Sequence, residues 1–109
     1  MMKTLSLLVT LCIATPSFAD GRWAAKHPRR DQVNDRLANQ DHRVDAGVRD
    51  GQLSPKEARK LHREDRAIRR EERANATLHG GHITKGEQRQ LNRQENQVSR
   101  QIHHERAGR

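Results

Sequence analysis

The chain has 109 residues, of which 33% are charged, 31% hydrophobic and 2% aromatic, with a formal net charge of +8. So polar a chain excludes a membrane-spanning body and a large multi-domain core, and its single cysteine excludes a disulfide scaffold. The basic surplus points to anionic partners.

Residues 1–19 read as a secretory signal peptide. Lys3 supplies the positive start, "LSLLVTLCIA" the short apolar core, and Ser17 and Ala19 the small residues that a signal peptidase reads. The segment is too short for a membrane anchor. Leu11 precedes Cys12, where lipoprotein processing needs a small residue, so Cys12 is not read as a lipid attachment site. Cleavage near Ala19 leaves 90 residues, a charge near +7 and no cysteine. The expected location is periplasmic or secreted.

Residues 20–30, with Gly21 and Pro28, read as a flexible N-terminal arm. A helical repeat domain follows over 31–105, and 106–109 as a frayed tail. In the first helix Val33, Leu37, Val44 and Val48 lie four, seven and four apart, on one helical face. The second carries Ala58, Leu61, Ile68 and Leu78; the third carries Leu91, Val98 and Ile102. Each stripe skips a turn, at Gln40 or Asp41, at Asp65, and at Gln94 or Glu95. Those gaps argue against a continuous coiled-coil seam. The expected fold is all-α, a short helical bundle or paired helix–turn–helix units. Thirteen large apolar residues after the leader, Trp23 among them, make a thin core, so self-association is expected.

Two stretches share one grammar: "GQLSPKEARKL" from Gly51 and "GHITKGEQRQL" from Gly81. An offset of thirty residues aligns 51–73 with 81–103 and, less fully, 35–48 with 65–78, which suggests a repeat of about 30 residues. Ser54, Pro55 and Glu57 form a capping box with proline at the first helical position; Thr84 and Glu87 form a second, weakened by Gly86. Gly51 and Gly81 are helix stops. Leu53 and Ile83 take the staple position. The spacing also resembles half of an EF-hand, with glycine at loop position 6, an aliphatic at 8 and glutamate at 12. Asp50, Glu57 and Glu87 are the candidate oxygen ligands. Ala46 and Val48 stand where two further ligands belong, so the helix-junction reading accounts for more residues.

The pattern resembles a group of small exported proteins of Gram-negative bacteria. The residues that carry the likeness are Asn39-Gln40, Gly51 to Leu61, Gly81 to Leu91 and the closing "LNRQENQVSRQI" from Leu91. The resemblance covers about 31–104. It implies a helical fold and a periplasmic or secreted location, and no enzymatic role.

"HGGH", His79 to His82, offers two imidazoles to zinc, copper or nickel. Its spacing matches no structural zinc pattern, so exposed polar histidines are the simpler reading. Ser54 and Ser99, the serines after the leader, have no evident base beside them. Acids alternate with arginines and read as solvated partners rather than a pair with raised pKa. No phosphate-binding glycine loop is present. The chain is therefore read as a non-enzyme without a cofactor. Its expected role is periplasmic binding or structure, in envelope stress or chaperoning, with metal binding as the alternative. The partners expected are a second copy, an acidic protein or an envelope polyanion. Nucleic acid is not expected, because Arg and Glu mix along the chain, and neither is stable membrane insertion.

Overall fold

The computed structural model describes residues 17–108, with side chains from Gly21 onward. Most of the signal-peptide reading, Cys12 included, and Arg109 lie outside the described residues. Four helices follow in order: α1 (Ser17–Lys26), α2 (Pro28–Arg49), α3 (Pro55–Leu78) and α4 (Lys85–Ala107). The described residues contain no strand.

The flexible arm expected over 20–30 is instead divided between α1 and α2. Pro28 is tolerated because it opens α2, where its missing amide is no loss. The residue before a proline is pushed out of the helical region, and His27 sits at φ −132°, ψ 56°. That single residue bends the path between α1 and α2. The frayed tail is corrected too. α4 continues to Ala107, and Arg106 donates to Gln52 Oε1 at 2.6 Å and to the Arg43 carbonyl at 3.2 Å.

Helices α2, α3 and α4 pack pairwise against one another, as a triangular bundle. Their directions can be read from side-chain partners. Between α2 and α4 the pairs Gln32–Gln88, Arg36–Asn92 and Arg43–Ser99 share one sequence separation of 56. A constant separation means parallel helices. Between α2 and α3 the separation falls from 42 for Arg30–Glu72 to 17 for Asp45–His62, so those two are antiparallel.

Val33, Leu37 and Val44 of α2 meet Leu61, Ile68 and Ala76 of α3 and Leu91, Val98 and Ile102 of α4 in one core. Leu53 and Ile83 enter it from the turns, each 3% exposed. The thin stripes are thus covered by each other within one chain. Val48 and Leu78, expected in the core, are exposed at opposite ends of the bundle. On α2 the seam instead runs through Gly47, which is buried. A Cβ there would meet Leu53 Cδ1 at 2.7 Å, so glycine is what lets the staple leucine fold back onto the helix.

The seam does not stop at the skipped turns. Gln40, Asp65 and Glu95 are buried at 2%, 1% and 0% exposure. The core continues through them with polar side chains, which corrects the expectation of an interrupted stripe.

Candidate functional site

The two turns are built as helix junctions. Gly51 adopts φ 73°, and the amides of Gln52 and Leu53 both donate to the Gly47 carbonyl, at 2.8 and 3.0 Å. At the second turn Gly80 and Gly81 both have positive φ, and the Gly81 amide donates to the Ala76 carbonyl at 2.8 Å. These are the left-handed closures that release a chain from a helix. Both capping boxes are present. Ser54 Oγ accepts from the Glu57 amide at 3.1 Å and Thr84 Oγ1 from the Glu87 amide at 3.1 Å, and each glutamate returns a bond. The Glu87 carboxyl is held below its ordinary pKa, first by the Thr84 amide that it accepts from, then by the Thr84 hydroxyl and nearby His79.

The structure disperses the candidate metal ligands. Asp50 lies 3.3 Å from Arg106. Glu57 and Glu87 serve the caps. His79 Nε2 is 3.4 Å from Glu87 Oε2, and His82 stacks instead on His27, with ring centroids 4.7 Å apart. Among the described residues no group of three His, Cys, Asp or Glu side chains is placed to hold a metal ion.

A cluster at that end of the bundle replaces the histidine site. His27 lies between His82 and Trp23, 4.8 Å from the Trp23 ring. Arg30 stands 5.3 Å over the same ring, pairs with buried Glu72 and donates to the Gly81 carbonyl at 3.2 Å. One arginine therefore joins α1, α2, α3 and the second turn.

At mid-bundle lies a layer with one polar side chain from each of α2, α3 and α4. Gln40 Nε2 donates to the Glu95 carbonyl at 2.7 Å. Both carboxyl oxygens of Asp65 and of Glu95 are buried without a hydrogen bond of good geometry. Burial pushes Asp65 up to about 8, helped by the neighbouring carboxyls of Asp41 and Glu95 and opposed by Arg69. Burial likewise pushes Glu95 up to about 7, opposed by Arg36 at 3.8 Å. These acids were expected to be solvated partners of arginine. The sequence held a signal for the opposite: each falls where the apolar period requires a core residue. Beside the layer, His62 bridges α3 to α2, with its two ring nitrogens each 3.0 Å from Asp41 and Asp45.

The outer charges sort by face rather than mixing as they do along the chain. Between parallel α2 and α4, Arg36 donates to Asn92 Oδ1 at 3.2 Å and Asn96 Oδ1 at 2.6 Å. Arg43 donates to Ser99 Oγ at 2.6 Å and to its carbonyl at 3.2 Å. All of these acceptors are neutral. They fix the guanidinium groups and leave their charge unneutralised, apart from the buried Glu95 beside Arg36. Arg29 lies one heptad before Arg36, about 10 Å along the helix. Lys85, Arg89 and Arg100 are exposed on α4, at helical spacing from the residues that face α2. None of these four rim cations takes part in the ion pairs of the described residues.

Acids are nearly absent from this side. Asp41 and Asp45 are turned to His62 of α3, and Asp31, two heptads before Asp45, falls around the helix between Asp45 and Asp35. Asp50 is engaged by Arg106, which leaves Asp35 on the outer ridge of α2. Helix α3 also exposes Arg59, Arg63, Arg66 and Arg70. Its flanks carry acids, however: Asp41 reaches Arg69 at 3.8 Å on the α2 side, and Glu64 lines the crease towards α4. Among the described residues no helix is long and apolar enough to cross a membrane.

No family model, no curated protein and no solved structure matches this chain.

Proposed function

We propose that the protein is an exported helical binding protein whose α2–α4 face takes up an acidic partner of the cell envelope. The leader-like first nineteen residues support the location, and the resemblance described above agrees with it. The observation that carries the reading is the pair Arg36 and Arg43, held by neutral side chains on a face with four further cations. Arg43 is fixed in place outside the ion pairs of the described residues, and Arg36 has only the buried Glu95 beside it. An anion supplies the missing charge, and the fork of an arginine suits carboxylate or phosphate oxygens.

The test compares two charge-matched variants on an immobilised polyanion. One replaces Arg29, Lys85, Arg89 and Arg100 by glutamine. The other replaces Arg59, Arg63, Arg66 and Arg70 of α3 by glutamine. The face variant should elute at clearly lower salt than the α3 variant. Equal elution of the two would show that net charge, not the face, governs retention.

A further inference from the structure

We infer that the α2–α4 face is a docking surface for an anionic lipid leaflet, gripping headgroup phosphates without inserting. The inference rests on the function proposed above and names the partner.

Shape and chemistry select the leaflet. Two parallel helices side by side, with axes 8–10 Å apart in ordinary packing, present a broad shallow face. Cations stand on both helices, so a planar array of phosphates can meet both rows at once. A duplex nucleic acid is the competing polyanion, and its recognition in a groove asks for side chains that reach base edges, which the short polar floor between these rows is not shaped to supply. A single-stranded nucleic acid asks for aromatic platforms, and the one tryptophan, Trp23, is on α1 rather than on α2 or α4, and stacks with His27. Between the cationic rows lie Gln32, Asn92, Asn96 and Ser99, which are polar. Such a floor accepts phosphates and offers nothing to acyl chains. The exposed large apolar residues, Trp23, Val48 and Leu78, belong to α1 and to the bundle ends. Adsorption is therefore electrostatic, strengthened by each cation near the surface and lost in high salt.

The experiment uses the chain from Asp20, which keeps every core residue, because the apolar leader would itself enter lipid. It is sedimented with vesicles of phosphatidylcholine, with and without phosphatidylglycerol. Polyglutamate and a short DNA duplex are titrated in the same buffer. Wild type and the α3 variant should bind the phosphatidylglycerol vesicles and not the neutral ones. The face variant should bind at least about a hundredfold more weakly, with unchanged circular dichroism, and about 0.5 M salt should release the wild type. Trp23 emission should stay at its free wavelength; a blue shift on binding would overturn adsorption without insertion. Tighter binding to polyglutamate or to the duplex than to vesicles would overturn the lipid assignment while leaving the anion-binding face intact. Failure to bind any of the anions would overturn both readings.

Discussion

At the scale of single residues the most heavily committed side chain is Arg30. It neutralises Glu72, which is 1% exposed, while touching the Trp23 ring and the Gly81 carbonyl. Breaking a buried pair from one side leaves an uncompensated charge, which costs far more than the pair contributes while intact. Arg30→Ala should therefore lower stability by about 3 kcal/mol or more, read from urea unfolding. Arg30→Lys should recover part of the loss, since it restores the charge without the fork. The double replacement of Arg30 and Glu72 by apolar residues should be much milder than Arg30→Ala alone. Nothing in the local sequence marks Arg30 out, because its partner lies 42 residues away. Ser54 is the contrasting case, legible from four consecutive residues. Removing its hydroxyl in Ser54→Ala should cost about 1 kcal/mol by the same measurement.

At the scale of elements the two turns show which sequence signals survive folding. Capping boxes, staples and helix stops depend on neighbours within a few residues, so Gly51, Ser54, Pro55, Glu57, Gly81, Thr84 and Glu87 could be placed in advance. Both members of the pairs that an offset of thirty aligns, Leu53/Ile83, Leu61/Leu91, Asp65/Glu95 and Ile68/Val98, are buried. The matching of 35–48 with 65–78 fares differently, for Asp35 is exposed and Asp65 buried. Helix α1 and the start of α2 are not legible in the sequence, because Pro28 signals both a break and a beginning. The charged face is not legible there either, because it exists only once α2 and α4 lie parallel: Arg36 and Asn92 are 56 residues apart. Gly86 remains as the weak point in the first turn of α4. A Cβ there meets nothing closer than 3.8 Å, at the far end of the Arg89 side chain. Gly86→Ala should thus raise stability by about 0.5–1 kcal/mol, detectable as a higher urea midpoint at unchanged slope.

At the scale of the whole molecule, the polar layer makes stability depend on pH in an unusual direction. Ordinary carboxyls are paired in the native state, and proteins lose their contribution as pH falls. Asp65 and Glu95 are buried with raised pKa values of about 8 and about 7, above their ordinary values of 3.8 and 4.5. The folded chain therefore holds protons there that the unfolded chain has released. Stability follows the difference in bound protons, so it is fully present below about pH 4 and declines as pH rises through 7 to 8. The groups facing the layer fit that sign: Asp41 from α2 and Glu95 from α4 oppose ionisation of Asp65, and only Arg69, on its own helix, favours it. Arg36 alone favours the charged form of Glu95. The thermal midpoint should be several degrees higher at pH 5 than at pH 9. The double variant Asp65→Asn with Glu95→Gln keeps shape and removes the titration, so its midpoint should vary much less across the same range. A wild type as flat as the variant, or one that gains stability towards pH 9, would show that these carboxyls are ionised in the folded bundle and that Arg36 and Arg69 outweigh their burial.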